Sequence, residues 1–280
     1  MQTLDNYLFS IVIANYNSEL YIKDVLDSVA KQTYKNIEVI IIDDKSSDNS
    51  VGIINGFIGK TDLKVIFVEH KVNLGGGQTK VHGLSLASGD LIAFVDCDDY
   101  IQENAVERMV QVHRENENAS LIYSDAYRLD KNGNVLGLLD KARPVGAGSS
   151  ILHDDCVFHF ASWKKIYYDR LKSGFSGKFN IAYDLDLYYK LEEVGKVIYI
   201  NEPLYNYRVH GGNLSMGFNN LGQSMTELLI AKYEAQVRRD EIDLKLLSSM
   251  LQTVFERVFT QGKNSVSLRQ ELKKRIKKYL

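Results

Sequence analysis

In the stretch IAFVDCDDYI an apolar run, Ile92-Ala93-Phe94-Val95, ends against three carboxylates, Asp96, Asp98 and Asp99. Carboxylates this close repel one another and raise each other's pKa unless a cation or hydrogen-bond donors compensate them. A hard divalent cation is the simplest compensator, since one or two protein carboxylates suffice when substrate oxygens complete its shell. Taken alone, the stretch also reads as a solvated acidic turn. Further polar clusters follow other apolar runs: Asn15-Tyr16-Asn17, Asp43-Asp44, and Asn73 with the glycines 75–77. The segment NLGGGQTK, residues 73–80, reads as a phosphate cradle in which glycines let N–H groups approach an anion and Lys80 adds a cation one turn into the next helix. It is not a Walker loop, because no Gly-Lys-Ser/Thr follows, and it lacks the third glycine of the dinucleotide fingerprint.

These clusters need a scaffold that brings them to one edge. Leu8–Ala14, Ile37–Ile42, Leu63–Val68 and Leu91–Val95 are near-continuous apolar runs. Between them lie helical patterns: Ile22, Val25, Leu26 and Val29 with Asn17 or Ser18 as cap, a segment from Ser46-Ser47-Asp48 to Ile58, and Gly77–Ala87. Such alternation predicts a parallel sheet covered on both faces, with ligands beyond the carboxyl ends of its strands. Next come a helix over Glu103–Glu115 and two strands, Leu121–Leu129 and Val135–Leu138, around the hairpin signal KNGN. Residues 140–162 read as an irregular loop over a cleft. A helix is expected at Asp184–Val194, a strand at Val197–Ile200, and helices from Leu221 almost to the end. The predicted division is a main domain over 1–217 and a helical C-terminal appendage over 218–280.

Composition narrows the function classes. Hydrophobic residues form 45% of the 280 and charged residues 25%, as in an ordinary globular protein. A formal net charge of −2 gives no general drive toward nucleic acid. The two cysteines, Cys97 and Cys156, have no metal or redox spacing. The N-terminus lacks the pattern of a signal peptide and no run of about 18 apolar residues occurs, so the expectation is a cytoplasmic chain without a spanning helix.

The stretches SIVIANYNSELYIKDVLDSVAKQT, IEVIIIDDKSSDNS, NLGGGQTKVHGLSLASGDLIAFVDCDD and YDLDLYYKLEEVGKVIYINEPLYNYRVHGGNLS, taken together and in this order, resemble the family-two glycosyltransferases. The resemblance covers residues 8–216. It implies the GT-A fold, a Rossmann-like, mainly parallel sheet between helices, and transfer from a nucleoside-diphosphate sugar, UDP-linked by expectation, with inversion at the anomeric carbon. It assigns Ala14 and Tyr16 to the wall around the base, Asp44 to a hydrogen bond with the base, and Lys80, where the family usually has arginine, to the diphosphate. Asp96-Cys97-Asp98 matches the DxD motif, with Asp96 and Cys97 at the sugar nucleotide. Asp98, Asp99 and His210, the last in YRVH, are then expected around Mn2+ or Mg2+. Lys45 stands where the family favours glycine.

Inverting transfer needs a base for the acceptor hydroxyl. Asp184 is the candidate: on a helix it shares a face with Leu187 and Leu191, whereas Asp186 is turned about 200° away. The family motif puts its base here too, preceded by glutamate where this chain has Tyr183. A helix N-cap is the alternative role for Asp184. Trp163 reads either as a stacking surface for an acceptor sugar or as core.

The expected acceptor is a hydroxyl of a saccharide or lipid-linked molecule in cell-surface polysaccharide or glycolipid synthesis. LRQELKKRIKKYL, residues 268–280, forms a basic amphipathic stripe that suits either the inner face of an anionic membrane or its own domain. Two rivals are a sugar-phosphate nucleotidyltransferase and a non-catalytic sugar-nucleotide binder. The first needs a glycine- and arginine-rich loop after the first strand, which ANYNSEL does not supply, and intact Asp98, Asp184 and His210 argue against the second.

Overall fold

The computed structural model describes residues 6–171, 174–175, 177–211 and 221–240. The basic stripe over 268–280 lies outside the described residues.

The chain opens by alternation: β1 (Phe9–Asn15), α1 (Ile22–Ala30), β2 (Ile37–Asp43), α2 (Ser50–Ile58), β3 (Lys64–Glu69), α3 (Gly76–Leu86) and β4 (Leu91–Phe94). A mixed region follows: β5 (Tyr100–Ile101), α4 (Ala105–Glu115), β6 (Ala119–Leu129), β7 (Val135–Leu138), α5 (Ile151–Asp154), β8 (Ala161–Lys164) and α6 (Lys165–Tyr168). Then come α7 (Tyr183–Glu192), β9 (Lys196–Arg208) and α8 (Leu221–Arg239).

The nine strands of the described residues join one sheet in the order β3-β2-β1-β4-β8-β6-β9-β5, with β7 on β6. β3, β2, β1 and β4 are parallel, and Phe9 faces both Ile37 and Leu91. The chain moves outward from β1 to β3 and returns on the other side as β4. The ends of β1 and β4 therefore flank the switch point where open α/β sheets bind ligands.

β1, β2 and β4 are almost wholly buried because both faces of the sheet are covered there. Phe9, Ile11 and Ile13 face one core with Val25 and Val29 of α1 and Met109 of α4. Val12, Ile40 and Ile42 face the other with Leu84 of α3, Leu187 of α7 and Ala231 and Ala235 of α8.

Differences from the sequence reading concentrate in residues 140–168. At the end of the loop expected over 140–162, Ala161–Lys164 forms a central strand, antiparallel to both β4 and β6. Four residues carry too little periodicity to reveal a strand. Trp163 lies in the core, edge-on to Phe94 at 5.0 Å, so it offers an acceptor no stacking face. α1 starts after Tyr21 without a side-chain cap. The expected caps work elsewhere: Asn17 Oδ1 accepts the Ser47 N–H at 2.8 Å, and the Ser18 N–H donates to Ser50 Oγ at 2.9 Å. Among the described residues no helix is long and apolar enough to cross a membrane.

Two buried groups set an acid response. His113 on α4 is fully buried 3.0 Å from Ser162 Oγ, and burial, with the Lys164 charge, pushes its pKa down to about 3. Burial opposes ionisation of Glu38, but bonds from Lys64, Ser10 and Ser88 outweigh it and lower its pKa to about 2. Below about pH 6.5 the unfolded chain protonates His113 while the folded chain does not, so stability falls as pH drops toward 3. The Glu38 contribution is lost only as pH falls from 4.5 through about 2. Thermal unfolding between about pH 6.5 and 4.5 is expected to lose 2–3 kcal/mol of His113-linked stability, a loss absent in His113→Gln.

Candidate active site

The site lies where β1, β2 and β4 end. Ala14 is half-buried at the end of β1, and Tyr16 just beyond it is 50% exposed. Asp44 follows β2, its N–H donating to the Asn15 carbonyl at 2.8 Å. Its Oδ1 accepts the Leu74 N–H and its Oδ2 the Gly75 N–H, each at 2.8 Å. His70 Nδ1 lies 2.8 Å from Oδ1, and His70 Nε2 lies 2.8 Å from Nδ1 of His82. Asp44 thus ties segment 70–75 to the sheet, with two partners on Oδ1 and one on Oδ2. Lys45 adopts φ 65°, the left-handed region that explains a preference for glycine there.

The glycine run departs from the expected cradle. The N–H groups of Leu74 and Gly75 serve Asp44, and the glycines make room for backbone. A Cβ on Gly77 would stand 2.0 Å from the Phe179 carbonyl, and one on Gly75, at φ 86°, would stand 2.7 Å from Asn180 Oδ1. What this turn needs is the close passage of segment 177–180.

Lys80 extends from α3 into the interior and is 2% exposed. Its Nζ donates to Asp96 Oδ1 at 2.6 Å and to the Tyr183 hydroxyl at 2.7 Å, 4.2 Å from the centre of the Tyr183 ring. The two departures from the family pattern at 80 and 183 therefore touch each other. Burial works to raise the Asp96 pKa, but the charges of Lys80 and His159 and the Lys80 bond outweigh it and hold the carboxyl below its usual range. Burial and the carboxylates of Asp96, Asp184 and Asp98 push Tyr183 far up, so its hydroxyl stays neutral.

The remaining acids divide. Asp98 Oδ2 meets His210 Nε2 at 2.9 Å, and the His210 ring stacks on Tyr21 at 4.7 Å. Cys97 Sγ lies 2.8 Å from Ser18 Oγ, and burial with the Asp98 charge pushes its thiol up to about 12, leaving it neutral. Asp99 is 1% exposed, accepts the Arg208 N–H at 2.8 Å, and is pushed well above the usual carboxylate range by burial beside Asp98 and Asp96. Its other oxygen, Oδ2, is buried without a hydrogen-bond partner among the described residues. A pair of one carboxylate and one imidazole fits a cation shared with substrate oxygens, not an all-protein cage. Among the described residues no group of three or more acids, histidines or cysteines is poised around one ion.

Asp184 occupies the second position of α7, and the N-cap is Ala182. Its Oδ1 accepts the Leu185 N–H at 2.8 Å and its Oδ2 lies 3.5 Å from His159 Nε2. Asp186 points elsewhere, into a buried ion pair with Lys190 at 2.7 Å. His159 Nε2 is also 3.7 Å from Asp96 Oδ2, and its ring stacks on Tyr205 at 5.3 Å. Lys80, Asp96 and Asp184 therefore share one cluster with Tyr183 and His159.

Sequence reasoning missed His159 and Arg208. Arg208 Nε donates to the Asp98 carbonyl at 2.9 Å and Nη2 to Asp24 Oδ2 at 2.7 Å, with Tyr21 4.9 Å away against the guanidinium. Arg208 lies inside the quoted YRVH. His159 stands in the bend just before β8, within the stretch that reads from sequence as an irregular loop.

Sheet order, switch point and acidic strand end define a GT-A nucleotide-sugar fold. Residues 10–169 match the profile of Glycosyl transferase family 2, and the chain belongs to that family. A chondroitin synthase of Pasteurella multocida is 30% identical over 213 residues, which are 75% of this chain and 21% of that protein. The chain thus spans about a fifth of that relative's length. S. aureus TarS 1–349, solved in complex with UDP-GlcNAc, has a TM-score of 0.67 at 20% identity, covering 92% of this chain and 74% of that one. A mannosyltransferase of Pyrobaculum calidifontis, in complex with GDP-Man and Mn2+, has a TM-score of 0.62 at 13% identity, covering 97% of this chain and 80% of that one. The two structures share the fold.

The glycine geometry yields a contrast. Gly77→Ala is expected to lower stability by about 1–3 kcal/mol in denaturant unfolding. Gly76→Ala, whose Cβ would meet its nearest atoms at 3.7 and 3.8 Å, is expected to stay within about 0.5 kcal/mol of the parent.

Proposed function

We propose that the chain is an inverting glycosyltransferase that moves a sugar from a UDP-sugar to a hydroxyl of a saccharide or lipid-linked acceptor in surface polysaccharide or glycolipid synthesis. One observation carries this reading: the Asp184 carboxylate lies one imidazole away from the Lys80–Asp96 pair at the end of β4. A base and a cationic site for a diphosphate are then neighbours. The UDP-GlcNAc complex of TarS and the chondroitin synthase relative support the donor and product classes.

The acceptor oxygen attacks the anomeric carbon as the bond to the diphosphate breaks. The hydroxyl proton passes to Asp184, and the electron pair leaves with the nucleoside diphosphate. Tyr16 and Ala14 wall the base, and Asp44 Oδ2 accepts from it. Asp96 and Cys97 line the sugar-nucleotide side, and Lys80 meets charge that grows on the diphosphate, so it favours the transition state over the ground state. Asp98 and His210 would hold Mn2+ or Mg2+, which when bound supplies further charge neutralisation at the diphosphate. Asp99 supports that loop from inside.

Nucleoside diphosphate release is the test, with UDP-, GDP- and dTDP-sugars, in Mn2+ and in EDTA. Turnover is expected with a UDP-sugar and is expected to collapse in EDTA; equal turnover without metal removes the role given to Asp98 and His210. Asp184→Asn is expected to lower kcat by about 100- to 10,000-fold with UDP binding unchanged. A full rate in that variant removes the base.

A further inference from the structure

Segment 177–182 runs directly into Tyr183 and Asp184, and it is held from both sides. On one side Gln78 Nε2 donates to the Gly177 carbonyl at 3.1 Å, and Gly77 admits the Phe179 carbonyl. On the other stands α8. The N–H groups of Asn180, Ile181 and Ala182 all donate to Glu227 Oε2, at 3.0, 2.7 and 3.2 Å. Three successive backbone N–H groups converging on one oxygen form an anion-binding concavity, here filled by a side chain from a helix 45 residues away. Gln223 Nε2 donates to Glu227 Oε1 at 2.8 Å, and Glu227 is 5% exposed. Two turns along the same helix, Glu234 pairs with Lys178 of the same segment. α7 has no side-chain cap of its own, since Ala182 provides no oxygen.

We infer that Glu227 is a positioning residue for sugar transfer: it anchors the approach to α7 and so sets where Asp184 and Tyr183 stand. α8 thereby contributes to the active site although none of its side chains reaches the reacting atoms. The inference rests on the reading of Asp184 as base. Its physical basis is the sensitivity of proton transfer to distance, because a displacement of about 1 Å costs on the order of 100-fold in rate. Lys80 is coupled to the same anchor through the Tyr183 hydroxyl.

The experiment uses the full chain with Glu227→Gln, which keeps shape and one acceptor, and Glu227→Ala. Hydrogen exchange of residues 180–184 is expected to accelerate about tenfold or more in Glu227→Ala, with β1 and β2 unchanged. Unchanged exchange overturns the anchoring. With the UDP-sugar that turns over in the donor panel, kcat is expected to fall about 30-fold in Glu227→Ala and several-fold in Glu227→Gln, with the affinity for UDP and Mn2+ within about threefold. A lower melting temperature with unchanged kcat below it assigns Glu227 a merely structural role and overturns the proposal. Asp184→Asn is measured in parallel. Adding Glu227→Ala to it is expected to cost less than about twofold more, and full additivity overturns the coupling. If Asp184→Asn alone keeps its rate, the base reading fails and the exchange result still decides the anchoring.

Discussion

Lys80 carries its charge out of reach of water, and the layout of the cleft follows from answering that charge. An ammonium in the interior is tolerated only with a counter-charge and full hydrogen bonding. Asp96 gives the counter-charge from the end of β4, and Tyr183 gives an oxygen and a ring face from the start of α7. The start of α7 is thereby fixed to the α3–β4 region about a hundred residues earlier in the chain. The Lys80 charge and hydrogen bond in turn hold the Asp96 carboxyl below its usual range at the end of β4.

Around this point the acids of DCDD take separate parts. Asp96 answers Lys80, Asp98 meets His210, and Asp99 turns inward to the backbone of β9. Arg208 makes the separation possible. Its guanidinium holds the Asp98 carbonyl and Asp24 while its own N–H holds Asp99. Each acid at this strand end thus has its own partner: Asp96 pairs with Lys80, Asp98 meets His210, and Asp99 accepts a backbone N–H, while Arg208 is answered by Asp24.

The glycine turn and α8 belong to one layered device. The turn gives up side chains so that segment 177–182 can lie against it, and α8 closes the outer side with carboxylates. The glycine turn and the start of α7 are therefore not independent: a shift of the segment moves both.

Much of this was legible in the chain. Apolar runs rich in β-branched residues with helices between them point to a two-faced parallel sheet, and polar residues at their carboxyl ends make that edge the candidate site. The family stretches fixed the order of Asp44, Lys80, Asp96, Asp98, Asp184 and His210. The irregular segment around Ala161–Lys164 was not legible, because a four-residue central strand has no period of its own and exists through pairing with β4 and β6. For the same reason His159 stayed hidden, as its partners lie 63 and 25 residues away. The glycine run was legible as a place needing small residues, but whether phosphate or backbone fills the space depends on a segment 100 residues later. Local pattern determined the elements and the edge where the polar clusters gather. Tertiary structure decided which carboxylate meets a cation and which is buried beside other acids, because burial and neighbouring charge are properties of the assembled fold and not of the order of residues.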